Sequence, residues 1–141
     1  MISQEMTPEE VDAFLAPPRI AHLATVDASG QARVRPVWYL WRDSGLWMTT
    51  RRAARHTGRD LATNPRVAIS IASEERPYRS VVVHGTPEIL PKDEQMLLDI
   101  STRYGDEPGR RWVREAMGQD DRVILKLEPE TLISWDYGKP E

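Results

Sequence analysis

The chain of 141 residues contains no cysteine, which excludes disulfides, thiolate metal sites and cysteine nucleophiles. Lysine is almost as scarce. Only Lys92, Lys126 and Lys139 occur, so arginine carries nearly all the positive charge. The histidines, His22, His56 and His84, match no zinc spacing, so no metal site is assigned. No apolar run approaches the roughly 20 residues that a membrane helix needs. The N-terminal MISQEMTPEE is acidic and lacks an apolar signal segment, so a cytoplasmic protein with no membrane partner is expected. The formal net charge of -3 leaves no general basic field to recruit nucleic acid. Catalytic signatures are missing too: there is no Gly-x-Ser-x-Gly elbow, no Gly-x-Gly-x-x-Gly and no Walker-type loop. The acidic pairs Glu74-Glu75 and Asp120-Asp121 fall in loop-like stretches and read as solvated charge. No catalytic side chain is assigned.

Hydrophobic residues make up 40% of the chain, enough for a packed core in one domain over residues 1–141. Thr7-Pro8-Glu9-Glu10 predicts a helix start, with Thr7 as cap, Pro8 in the first turn and Glu10 closing a capping box. Pro17-Pro18 stops that helix. Residues 19–26 and 31–41 predict two strands joined by a turn at Asp27–Gly30, and Pro36 marks an edge or a bulge. A turn at 42–45 leads to a strand at 46–50, and three strands so joined make a meander. A helix is expected over 53–62, ended by Asn64-Pro65. Strands follow at 66–72 and 78–90, the second bent at Gly85 and Pro87 as at a barrel corner. Helices at 91–104 and 110–117, separated by breaks at Gly105 and Pro108-Gly109, precede strands at 122–127 and 131–137. The tail from Gly138 is expected to be loose. The fold class is mainly β (α+β): a closed or nearly closed antiparallel barrel of six to seven strands with three to four flanking helices.

One stretch organises the functional reading. Residues 46–66 run from a strand ending in Thr49 and Thr50 into a helix bearing Arg51, Arg52, Arg55, His56 and Arg59. A helix N-terminus offers unpaired N–H groups, and arginine forks suit phosphate geometry. The stretch therefore reads as a phosphate-binding corner, against the plainer alternative of a solvated basic face. Arg33 and Arg35 lie on the strand at 31–41, alternating with Trp38, and that strand adjoins the one leading into the corner. Together they suit a flat, anionic cofactor. On an exposed strand the same arginines would simply keep an edge soluble. Most of the five tryptophans read as packing, and His22 and His84 as structural.

The order of RIAHLATVDASGQARVRPVWYLW, LWMTT, an arginine-rich helix ending LATNPRVAISI, VVVHGTPEIL and RVILKLEPETLISWDYG resembles the pyridoxamine 5'-phosphate oxidase-like superfamily of split β-barrel flavin and deazaflavin reductases. The resemblance runs from Val11 to Tyr137. It implies a homodimer holding FMN or the deazaflavin coenzyme F-420 at the subunit interface. It further implies that Arg33, Arg35, Pro36, Val37 and Trp38 pack along the ring system and ribityl chain. Thr49, Thr50, Arg51, Arg55, His56 and Thr57 would surround the phosphate. Many members carry lysine where this chain has Thr57, and Arg55, His56 or Arg59 would have to compensate. The chain also lacks the C-terminal extension of a true pyridoxamine-phosphate oxidase, so vitamin B6 synthesis is not expected. The implied activity is hydride transfer between the cofactor and a small organic substrate. The alternatives are a non-catalytic flavin- or haem-binding module, with His22, His56 or His84 as axial ligand, and an interaction barrel.

Overall fold

The computed structural model describes residues 4–140. Helix α1 (Pro8–Leu15) begins as its sequence dictates: the Thr7 hydroxyl accepts from the Glu10 N–H at 3.2 Å, and the Glu10 carboxylate accepts from the Thr7 N–H at 2.9 Å. Its buried face, Val11, Phe14 and Leu15, enters the core. The strands are β1 (Ala21–Val26), β2 (Ala32–Val37), β3 (Leu40–Arg42), β4 (Gly45–Arg51), β5 (Val67–Ala72), β6 (Arg79–Gly85), β7 (Glu88–Pro91), β8 (Arg122–Leu127) and β9 (Thr131–Asp136). Helix α2 (Thr57–Thr63) joins β4 to β5, while α3 (Glu94–Ser101) and α4 (Asp106–Met117) form a hairpin between β7 and β8. Among the described residues no helix is long and apolar enough to cross a membrane.

All strand pairs are antiparallel and fall into two sheets, ordered β2-β1-β5-β6-β9 and β3-β4-β8-β7. The architecture of the described residues is therefore mainly β with four α-helices, and the barrel is not closed. Two expectations change. The strand at 31–41 is really β2 and β3, in different sheets, so the meander does not form: β1 pairs with β2, and β4 pairs with β3 and β8. Likewise 78–90 is β6 and β7, with the change of sheet at Thr86-Pro87. The bend expected at Gly85 and Pro87 is there. A Cβ on Gly85 would lie 2.9 Å from the end of the Leu127 side chain and 3.1 Å from the Glu128 carbonyl oxygen, so a side chain here would force its neighbours to shift. Both splits raise the strand count among the described residues to nine.

The core lies between the sheets. Leu23, Ile69, Ile71, Val81 and Val83 from one face Leu46, Met48, Leu125 and Leu127 from the other, all in the same buried cluster. A smaller cluster, Leu97, Val113, Ala116 and Ile124, seats the α3–α4 hairpin against the four-stranded sheet. Helix α4 starts at Asp106, earlier than expected, because proline and glycine at 108 and 109 fall in its first turn, where a missing N–H costs nothing.

The first change of sheet is clamped. Tyr39 is fully buried, with its hydroxyl 3.0 Å from the Leu15 and Pro17 carbonyls. Its backbone N–H donates to the Tyr104 hydroxyl at 3.1 Å, and its carbonyl accepts from Arg103. Burial pushes both tyrosine hydroxyls above their ordinary pKa.

The C-terminal tail is tied down rather than loose. Lys139 donates to the Glu5 carbonyl at 2.8 Å and to the Glu10 carboxylate at 2.5 Å. The Lys139 hydrogen bond, followed by that from the Thr7 N–H, lowers Glu10 from 4.5 to about 2. The unfolded value lies above the folded one. This carboxylate therefore stabilises the fold above the unfolded value, and the contribution is lost as pH falls through the folded one. Glu10→Gln is expected to lower stability at neutral pH and to flatten the acid limb of the stability curve, followed by circular dichroism during acid titration.

Candidate functional site

Strand β2 turns alternate side chains to opposite sides of its sheet. Arg33 and Arg35 share the inward side with their β1 partners Thr25 and Leu23. Helix α2 covers that end of the sheet and supplies Asp60, only 3% exposed. The Thr25 hydroxyl donates to Asp60 Oδ2 at 2.8 Å. The same oxygen lies 3.5 Å from Arg33 Nε and 4.0 Å from Arg35 Nη2. One buried carboxylate thus faces two half-buried guanidinium groups. Arg33 also donates to Asp27 at 3.0 Å and to His56 Nδ1, while Arg35 donates to the Thr57 hydroxyl and, at 3.3 Å, to that of Thr25. A guanidinium can only donate, so in this contact His56 Nδ1 is the acceptor.

The electrostatics follow from these contacts. Asp27 falls from 3.8 to about 2, first because the Ser29 hydroxyl donates to it, then through the Gln31 N–H. Arg35 is lowered from its ordinary value by burial, with Asp60 opposing that shift. Asp27 and Asp60 together balance Arg33 and Arg35.

Helix α2 starts at Thr57, later than expected, so Arg51, Arg52, Arg55 and His56 precede it and only Arg59 lies on it. Gly58 permits this geometry, because a Cβ there would fall on the carbonyl oxygens of Arg51 and Arg52. Arg51 pairs with Asp121 at 2.8 Å, away from Arg33 and Arg35. Arg52, Arg55 and Arg59 are exposed and have no carboxylate partner among the described residues. Arg55, His56 and Arg59 line an open pocket of about 660 Å³ with Ser29, Arg33 and Asp60.

The other expected residues gather in a neighbouring cleft of about 460 Å³, lined by Ile20, Pro36, Val37, Trp38, Thr49, Trp112 and Arg122. Trp38 stacks on Tyr104 at 4.8 Å and meets Trp112 edge-on at 6.3 Å. The Thr49 hydroxyl donates to the Val123 carbonyl at 2.7 Å and accepts from Arg122 at 3.4 Å. Thr50 is half-buried on β4 opposite Val123. His22 and His84 lie on the outer side of the five-stranded sheet, away from the cationic corner.

Nine of the eleven expected residues therefore divide into a cationic corner (Arg33, Arg35, Arg55, His56, Thr57) and a cleft (Pro36, Val37, Trp38, Thr49), while Thr50 and Arg51 join neither. Sequence reasoning missed Asp60, Tyr104, Trp112 and Arg122. Asp60 carries a local signal, since it lies four residues past His56 within the helix expected over 53–62. The other three reach the cleft through distant pairings, such as Arg51 opposite Arg122.

Removing the carboxylate would leave two guanidinium groups facing a neutral side chain. Asp60→Asn is expected to cost about 2 kcal/mol, less than a fully buried pair because both arginines reach solvent. Chemical denaturation measures the loss, and Asp27→Asn, at the wetter end, should lose less.

The family model of pyridoxamine 5'-phosphate oxidase matches residues 7–136. No curated protein matches the chain. Among solved structures, the chain is similar to the conserved hypothetical protein Rv2991 from Mycobacterium tuberculosis, with 24% identity and a TM-score of 0.79 over 100% of this chain and 94% of that one. An F-420 reductase aligns with 29% identity and a TM-score of 0.71, covering 89% of this chain and 98% of the other. HutZ, the haem storage protein from Vibrio cholerae, gives 21% identity and a TM-score of 0.67, covering 93% and 94%. A match that spans α1 through β9, on a fold these structures share, makes this chain a member of the pyridoxamine 5'-phosphate oxidase family.

Proposed function

We propose that the protein is a dimeric oxidoreductase that binds FMN or the deazaflavin coenzyme F-420 and passes a hydride between it and a small organic molecule. The observation that carries this reading is the meeting of β2 with the 52–57 turn, through Arg33 with His56 and Arg35 with Thr57. It sets a cationic corner beside an aromatic cleft on one strand. The residues suit the anionic end of such a cofactor. Arg33 and Arg35 are already matched by carboxylates, so their part is orientation, while Arg52, Arg55 and Arg59 supply the unbalanced charge. Arg35 donates to the Thr57 hydroxyl, so a guanidinium stands beside the position where many family members carry lysine. The row of three free arginines favours the longer anionic tail of a deazaflavin over the single phosphate of FMN. The bound ring would supply the redox chemistry, and the protein the binding, orientation and electrostatics. Likeness to an F-420 reductase supports the same reading.

The outer side of the five-stranded sheet supports the dimer. Its rows run Pro36, His22, Ser70, Val82, Ile133 and Val34, Ala24, Ala68, His84, Thr131, with Ala32, Val26, Ala72, Ser80 and Trp135 beside them. None is Asp, Glu, Lys or Arg, in a chain with 29% charged residues. Val34 is 65% exposed and Ile133 is 45% exposed. A charge-free sheet face of this kind suits burial against a second copy. Strand β2 borders both this face and the cleft, so a partner seated here would flank the cleft.

Titration of the purified protein with FMN and with the deazaflavin, followed by fluorescence, tests the cofactor. Arg55→Ala should weaken the preferred one by about tenfold. Binding of neither would end the redox reading, and a Soret band on haem addition that is lost in His22→Ala, His56→Ala or His84→Ala would replace it with haem binding. Light scattering tests the assembly: a dimer is expected for the native protein and a monomer for Val34→Glu, whereas a native monomer at micromolar concentration would remove the interface site.

A further inference from the structure

The cleft beside the cationic corner holds a cation that the anionic end of a cofactor does not need. Arg122 opens β8 at the floor of the cleft, half-buried. Its Nε and Nη2 donate to Gln119 Oε1 at 2.9 and 2.6 Å, and its Nη1 donates to the Thr49 hydroxyl at 3.4 Å. Both acceptors are neutral. No carboxylate lies within ion-pair distance of Arg122 among the described residues; the nearest acid in sequence, Asp121, is bound to Arg51. A guanidinium has five N–H donors, and these contacts occupy three of them. Its carbon also lies 5.0 Å from the centre of the Trp112 ring. Burial and the neighbouring Arg51 lower the Arg122 pKa, while Asp121 raises it. The result is a half-buried positive charge held in place by neutral groups, with donors to spare. Around it the walls are flat and apolar: the Trp38 and Trp112 indoles, the Pro36 ring and the exposed Ile20.

We propose that this cleft is a binding site for planar aromatic carboxylates, with Trp38 and Trp112 holding the ring and Arg122 the acid group. As the substrate subsite of the enzyme it rests on the oxidoreductase reading; as a binding site it stands without it. An unmatched guanidinium favours an anion, and the indole walls favour a flat body over a branched or flexible one. A neutral ring of the same shape would leave the charge unanswered and bind less well.

The test is isothermal titration calorimetry of the intact protein with 2-naphthoate and with its uncharged counterpart, 2-naphthamide. The native protein should bind naphthoate about tenfold more tightly than the amide. Arg122→Gln should erase that preference while leaving amide binding unchanged, and Arg122→Lys should restore part of it. Trp112→Leu should weaken both probes alike. Thermal melts of each variant separate lost binding from lost folding. Equal binding of acid and amide by the native protein, or naphthoate binding unaffected in folded Arg122→Gln, would overturn the site. Displacement of naphthoate by FMN or by the deazaflavin would overturn the substrate role, because the cleft would then be the cofactor's own. Naphthoate binding by a protein that takes up neither cofactor would sustain the site and remove the oxidoreductase reading.

Discussion

A single buried carboxylate holds the site together. Asp60 takes a hydrogen bond from Thr25 on β1 and faces both arginines of β2, and so joins α2 to the edge of the five-stranded sheet. Helix α2 is short and lacks a side-chain N-cap, so its own hydrogen bonds give it little stability. Its position comes from Leu61 in the core and from this ionic contact. The 52–57 turn, with its free arginines, hangs from that anchored helix on one side and from Asp121 on the other, whose backbone carbonyl accepts from the Arg52 N–H and whose carboxylate accepts from the Ala53 N–H. The cationic corner therefore owes its shape to two aspartates, Asp60 and Asp121.

Much of this was legible in the chain because it rests on local rules. The capping box of α1, the turn before β2, the stop at Asn64-Pro65 and the last strands all follow from residue types a few positions apart. The cationic corner was legible for the same reason, since most of its arginines lie within one short stretch. What escaped were facts set by long-range pairing. Nothing within 31–41 announces that Trp38 and Tyr39 leave one sheet and enter another. That change is fixed by Arg103 and Tyr104, far along the chain, which hold the Tyr39 backbone from outside. Arg122 reads as the first residue of an ordinary strand until β8 is laid beside β4.

That change of sheet also creates the cleft. By sending β2 and β3 into separate layers, the fold opens a gap at Trp38, and the α3–α4 hairpin partly fills it with Tyr104 and Trp112. The helices expected merely to flank the barrel thus supply aromatic wall. Family membership describes the barrel and its corner. This wall, with Arg122 beneath it, is where this chain's own selectivity would be written.

Strand β2 carries arginines inward and valine and proline outward, one after the other. A shift of a single residue along β1 would swap them, pushing charge onto the bare sheet and aliphatic groups against Asp60. The hairpin loop at Asp27–Gln31, closed by the Asp27 carboxylate, fixes that phase. Gaining or losing one amino acid in this loop would therefore damage the protein at both surfaces together, which no point substitution in the strand can do. Natural variation in loop length should therefore be rare here.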